Sequence, residues 1–344
     1  MPVLVLLLLL ACPIHAAAAA REETGSIPAR DGAPAVVYAA RIPAPAAKGP
    51  APGLIVALHG INGNERQLLD ACSLALQAAK REDAYIVLGL KSQGAGWETV
   101  DHAPIRNAVA WAIATHRADP RRVFAWGYSH GAIRLGHFAA EAQDLFAGAV
   151  LWAGTCQKPA ADGSGIAYYA VTGERDPTVK PDQMRGARDR MRAAGVRLVY
   201  RELAGGDHGA PFSPPGRAIW ANHVVWMDAL RNRRQEQDAR TVELMAKATA
   251  ELDADGRLAS GTAKSLFPAL LEAAGDPVEA LLVRLLRAEA ATLRRQAATV
   301  CARRLFGDTV VAALVPLLQD ADREVQAQAL TALGLAADLQ VAAA

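Results

Sequence analysis

An excess of charge of either sign is missing from this chain. Its 37 Lys and Arg stand against 35 Asp and Glu, a net of +2 over 344 residues. That balance gives no electrostatic case for binding nucleic acid or an anionic membrane surface. Cysteine is equally thin, with four residues in all. Cys72, Cys156 and Cys301 match no metal-ligand spacing, so no metal site is expected. They read as small buried apolar residues, with a Cys72–Cys156 bridge left open for an oxidising compartment. Aromatic residues make up only 5%. A membrane-spanning helix needs about 20 apolar residues, and the apolar stretch from Val3 to Ala11 is too short for one.

That short stretch fits an export signal instead. Small residues from Ala16 to Ala20 follow it and precede Arg21, so residues 1–20 read as a signal peptide and the protein as secreted or periplasmic. No Lys or Arg precedes the run. Leu9-Leu10-Ala11-Cys12 resembles a lipobox, which makes lipid anchoring through Cys12 the alternative. The remainder is globular in composition, with 52% hydrophobic and 21% charged residues. Its length predicts one large domain and a smaller one.

Residues 21–34 are rich in small residues and turn formers and read as a linker, with an edge strand following at 35–42. A continuous apolar run at 53–58 and a second at 84–90 predict strands buried on both faces, and 122–126, 146–152, 166–171 and 197–203 read as further strands. Helical patterns lie between them, at 65–80, 104–116, 131–142, 181–194 and 215–230. That alternation predicts an α/β fold with a doubly wound, mostly parallel sheet over residues 35–231. After Arg231 the strand pattern stops, and residues 236–344 read as a small all-α domain.

An internal repeat runs through that last third. Leu282-Val283-Arg284-Leu285-Leu286 aligns with Leu314-Val315-Pro316-Leu317-Leu318, and the same offset pairs Leu293 with Val325 and Ala297 with Ala329. The pattern resembles HEAT-type helical repeats. Two or so such units leave an apolar face that must pack on the preceding domain or hold a protein partner. Glu251 to Leu258 echoes a calcium loop. Its first ligand would be Glu251 rather than Asp and its twelfth Thr262, so it reads as a capped turn.

The chemistry centres on Val123 to Ala132, a short strand running into Gly127-Tyr128-Ser129-His130-Gly131 and then a helix. This is the layout of a nucleophile elbow, in which a strained turn lifts a serine hydroxyl above the sheet edge. Helix capping by Ser129 is the bland alternative. A serine nucleophile needs a base, and the base needs an acid to hold its tautomer. Asp176 follows the strand at 166–171, with Glu174 as the alternative acid. His208 follows the strand at 197–203 on a glycine-rich loop. An oxyanion hole requires two amides. One is expected from His130, and the other from Ile61 in His59-Gly60-Ile61-Asn62, with Asn62 next. His59 and His223 read as structural histidines. Trp97, on the glycine-rich loop 94–98, is a candidate for the substrate cleft or the core.

Together these pieces resemble the α/β-hydrolase superfamily over about residues 35–230. The His-Gly loop, the Asp119 to Val123 lead-in and the Gly205-Gly206-Asp207-His208 loop look most like secreted feruloyl esterases, acetylxylan esterases and polyhydroxybutyrate depolymerases. Ile61 stands where many depolymerase-like members carry cysteine, and His130 replaces a more usual small residue. The resemblance implies a serine esterase with a Ser129, His208, Asp176 triad, no cofactor, and an ester substrate, polysaccharide-linked and polymeric esters included. A peptidase of the prolyl-oligopeptidase type and a non-catalytic binding protein on the same scaffold are the rivals.

Overall fold

The computed structural model describes residues 20–44, 50–155, 165–235 and 237–340. The export segment with Cys12, and Cys156 with its candidate bridge, lie outside the described residues. Among the described residues, Cys72 and Cys301 are buried and have no disulfide partner.

Eight strands form one sheet: β1 (Arg21–Ile27), β2 (Val36–Ile42), β3 (Gly53–Leu58), β4 (Tyr85–Leu90), β5 (Val123–Tyr128), β6 (Gly148–Trp152), β7 (Ala167–Gly173) and β8 (Arg197–Leu203), in the order β1-β2-β4-β3-β5-β6-β7-β8. The six strands from β3 to β8 are parallel, while β2 pairs antiparallel with β1 and β4. This order is that of the α/β-hydrolase fold. β3 has β4 on one side and β5 on the other, so the loops leaving β3 and β5 diverge and open a crevice at the strands' carboxyl ends.

One expectation is corrected here. Residues 21–27 are not linker but an edge strand, paired along their length with β2. The segment escapes a hydrophobicity reading because Arg21, Glu22, Thr24, Gly25 and Ser26 are exposed, and only Ile27 is buried. Charges on an edge strand also discourage pairing with another chain.

The central strands alternate between two cores. Leu54, Val56, Leu58, Val123 and Ala125 face one side, with α2 (His102–His116), α3 (His130–Glu141) and α4 (Pro181–Ala193). Ile55, Ala57, Phe124, Trp126 and Trp152 face the other, with α1 (Leu69–Ala78) and α6 (Trp220–Asp228). A short α5 (Pro214–Ala218) precedes α6, so the single helix expected at 215–230 breaks at Ile219.

Four tryptophans, Trp126, Trp152, Trp220 and Trp226, gather on that second face. Trp126 and Trp152 meet edge to face with centroids 4.9 Å apart, and Trp220 stacks on Trp152 at 5.5 Å. His223 sits among them, stacked on Trp126. Its Nδ1 lies 2.8 Å from the Ile219 carbonyl, and its Nε2 accepts the indole N–H of Trp152 at 3.2 Å. It is a buried, satisfied histidine.

Burial pushes the His223 imidazole down to about 4. The unfolded chain takes up that proton near pH 6.5 and the folded protein only near 4. Between those values the unfolded state holds more protons, so stability is complete above pH 6.5 and declines as pH falls. The expected loss by pH 4 is roughly 3 kcal/mol from this residue. Urea midpoints at pH 7 and pH 4.5 measure it, and His223→Gln should flatten the difference.

Beyond the sheet the chain is helical: α7 (Ala239–Asp255), α8 (Ser260–Glu272), α9 (Asp276–Leu286), α10 (Ala291–Cys301), α11 (Asp308–Leu314) and α12 (Arg323–Gln340), with a 3-10 turn at Val315–Gln319. They share a core of their own, built from residues such as Leu266, Leu282, Leu286, Ala297 and Val325. The helices are not detached from the sheet. Leu305 and Ala336 enter its second core, and the Leu305 N–H donates to the Ala229 carbonyl at 2.8 Å. At the calcium-loop echo, Glu251 accepts from the Ala259 N–H and the Thr262 hydroxyl, and Gly256 ends α7 at φ 63°. The segment is a capped turn.

Candidate active site

β5 ends at Tyr128 and α3 starts at His130, so Ser129 is the single residue that turns the chain. Its backbone stands at φ 52° and ψ −118°, a strained position for a residue with a Cβ. Its side chain makes no capping bond to α3. The flanking glycines are demanded by contact. A Cβ on Gly131 would lie 2.3 Å from the Leu58 carbonyl oxygen, and one on Gly127 would lie 2.7 Å from the Ala132 backbone.

The structure brings the three predicted side chains into line. Ser129 Oγ lies 2.9 Å from His208 Nε2, and His208 Nδ1 lies 2.8 Å from Asp176 Oδ2. An ionised carboxylate only accepts, so Nδ1 carries the proton and Nε2 is free to accept from the serine hydroxyl. The Asp176 side chain is fully buried and that of His208 is 22% exposed. Asp176 Oδ1 also accepts the N–H groups of Thr178 and Val179, at 2.8 and 2.9 Å. Those bonds satisfy the buried carboxylate and leave Oδ2 aimed at the imidazole.

Glu174, the alternative acid, is turned elsewhere. Its Oε2 accepts the Gly205 N–H at 2.7 Å, and its own N–H donates to the Leu203 carbonyl at 3.0 Å. The Arg175 N–H reaches the Gly206 carbonyl at 2.7 Å. Glu174 and Arg175 thus fasten the loop carrying Asp176 to the loop carrying His208. Gly173 permits the approach, since a Cβ there would lie 2.3 Å from the Asp207 carbonyl oxygen.

The loop after β3 separates Ile61 from its neighbours. The Gly60 N–H donates to Gln67 Oε1 at 2.7 Å, the Asn62 N–H to the Ala95 carbonyl at 2.6 Å, and the Gly63 N–H to the Gly60 carbonyl at 3.0 Å. Among the described residues no acceptor engages the Ile61 amide or the His130 amide. Gly60 lies against Ser129, where a Cβ would come within 3.5 Å of Ser129 Cβ. Of the two candidates on this loop, only Ile61 has an N–H to spare. His59 is buried, with Nδ1 2.6 Å from the Gly60 carbonyl and Nε2 accepting the Ser92 N–H at 3.1 Å. Burial lowers its pKa, in keeping with a neutral structural role.

Trp97 is a correction. It is fully buried in the first core and donates its indole N–H to the His59 carbonyl at 2.8 Å, so it lines no cleft. Gly96 beside it makes room for the His130 ring.

Two supporting residues carry no signal in the sequence. The Tyr128 ring lies 5.3 Å from that of His208, and its hydroxyl donates to the His208 carbonyl at 3.3 Å. Burial, then the charges of Asp176 and Asp207, raise its pKa. Gln67 holds the Gly60 amide. The middle position of a Gly-x-Ser pattern and a glutamine early in a helical stretch are unrestricted in the sequence, so neither stands out. As chemistry, the arrangement can deprotonate Oγ and offer two amides to a developing oxyanion.

No family model matches the chain. It is 31% identical over 117 residues to the acetylxylan esterase of Coprinopsis cinerea, covering 30% of this chain and 31% of that protein. It is 30% identical over 116 residues to the probable acetylxylan esterase A of Aspergillus clavatus, covering 30% and 37%. The matched stretch spans about a third of the length of these relatives. Among solved structures, an esterase from Pyrobaculum calidifontis aligns at TM-score 0.49 and 17% identity, over 62% of this chain and 85% of that one.

Proposed function

We propose that this chain is a serine hydrolase that cleaves carboxylic esters through an acyl-enzyme. The observation that carries the reading is the unbroken line of hydrogen bonds from Ser129 Oγ through His208 to the buried Asp176. His208 takes the hydroxyl proton as Ser129 attacks the carbonyl carbon. Asp176 holds the imidazole in its tautomer and stabilises the imidazolium. The amides of Ile61 and His130 receive the oxyanion, and the proton returns to the leaving alcohol. Water activated by His208 then releases the acid.

The similarity to acetylxylan esterases supports a short acyl group, an acetyl ester on a polysaccharide being the leading substrate. The apolar run at 3–11 and the small residues before Arg21 support export, with anchoring through Cys12 as the alternative. The sheet-bearing part would be the catalytic unit. The helices from α7 onward would form a HEAT-like unit, a reading supported by their helix pairs: α9 and α10 begin at residues that the repeat offset carries onto the starts of α11 and α12.

The test sets a chromogenic ester beside a chromogenic anilide. The protein should hydrolyse p-nitrophenyl acetate with saturation and leave acetyl-alanine p-nitroanilide untouched, and it should release acetate from acetylated xylan. Faster cleavage of the anilide would replace the esterase reading with the peptidase one.

A further inference from the structure

We propose that His130 and Arg134 are positioning residues that clamp the backbone of Trp97 and so fix the two oxyanion donors relative to each other. The inference rests on the esterase reading, because it assigns a task to the amides of Ile61 and His130. The two side chains are one turn apart on α3 and project toward the same loop. His130 Nδ1 accepts the Trp97 N–H at 2.9 Å, and Arg134 Nε donates to the Trp97 carbonyl at 3.1 Å. Both backbone polar groups of one loop residue are thus held by one helix. Arg134 is itself braced by Glu98 at 2.7 Å.

The other side of the same loop grips the strand β3 end. The Ser92 N–H donates to His59 Nε2, the Trp97 indole donates to the His59 carbonyl, and Ala95 accepts the Asn62 N–H. The residues bonded, His59 and Asn62, flank Gly60 and Ile61. A continuous path therefore runs from the side chain of one donor residue, through Trp97, to the loop presenting the other donor. Gly96 shows that the contact is fitted: a Cβ there would lie 2.4 Å from His130 Nδ1. Any other residue would push the imidazole off its acceptor position. The segment between β4 and the 3-10 turn at Thr99–Asp101 has no regular structure of its own, so its placement depends on such anchors.

Displacing an oxyanion donor removes an interaction made in the transition state, which lowers kcat and leaves KM in place. The experiment uses the full chain, with active sites counted by fluorophosphonate titration so that loss of folded protein is not mistaken for loss of rate. His130→Ala and Arg134→Ala should each lower kcat for p-nitrophenyl acetate by roughly 10- to 100-fold with KM held within about twofold. His130→Asn, whose Oδ1 can take the place of Nδ1, should recover most of the loss. Hydrogen exchange across residues 92–98 should quicken in the alanine variants and not in His130→Asn. A kcat within about threefold of wild type in both alanine variants would overturn the proposal, and so would His130→Asn as impaired as His130→Ala. If the wild type shows no ester turnover, the esterase reading fails instead, and the exchange measurement still reports on the clamp by itself.

Discussion

Ser129→Ala should reduce ester hydrolysis by roughly 10⁴-fold or more, leaving only the residual assistance of the oxyanion amides and the imidazole. The size follows from the role. Without Oγ there is no acyl-enzyme, and the remaining amides and imidazole can only assist water. The fold should survive the change. Ser129 Oγ accepts no capping bond from α3, and its hydrogen-bond partner is His208, whose side chain is partly open to solvent and can turn to water. Alanine carries the same Cβ through the strained turn at φ 52°, so the backbone cost is unaltered. Thermal melts of variant and wild type should coincide within a degree or two, on the order of the few tenths of a kcal/mol expected for a neutral change. Hydrolysis at the wild-type rate would remove Ser129 from the mechanism.

Asp176→Asn should cost about 10³- to 10⁴-fold in kcat, close to the nucleophile's own effect. Asparagine can keep Oδ1 toward the N–H groups of Thr178 and Val179, which fixes the amide's orientation. Its NH₂ then faces His208 Nδ1, a donor where an acceptor is required. The imidazole must place its proton on Nε2, and that nitrogen can no longer accept from Ser129. Glu174→Gln makes the contrast. Its Oε1 can still take the Gly205 N–H, so the loss should stay below about tenfold. Steady-state kinetics on the two variants, side by side, decide which carboxyl group serves the base. Equal losses would mean that the loops, rather than the carboxylate, set the rate.

Much of this site is legible in the sequence. The elbow was legible because its glycines meet hard contacts, which leaves a mark in the sequence: Gly131 packs against the Leu58 carbonyl and Gly127 against Ala132. The order of Ser129, Asp176 and His208 after successive strands was legible for a similar reason, since a parallel sheet puts every strand's exit loop on the same edge. The choice between Asp176 and Glu174 was not legible. They are two residues apart in one loop, and the hydrogen bonds of His208, Thr178 and Val179 to Asp176 and of Gly205 to Glu174 tell them apart.

Other features were hidden by the kind of signal they leave. β1 carries no apolar alternation because both its faces meet solvent, so it passes for linker. Trp97 sits among glycines, which reads as a loop open to ligand. In fact Gly96 accommodates the His130 ring, and the indole is buried under the loop after β3. The choice of Ile61 over Asn62 depends on which backbone N–H is already spent, and backbone bonding in irregular loops has no side-chain code. Strand positions were more secure than helix ends. The run at Arg197 to Leu203 forms β8 without adjustment, whereas the helix expected to begin near Glu65 starts at Leu69.

Covalent labelling tests the central claim most directly, because it asks whether Ser129 is an activated nucleophile without assuming any substrate. The full chain is treated with a fluorophosphonate, digested, and its peptides are mapped by mass. One adduct per chain is expected, on Ser129, formed more slowly in Asp176→Asn and absent in Ser129→Ala. An unlabelled wild-type protein, or an adduct on a different residue with Ser129 unmodified, would contradict it.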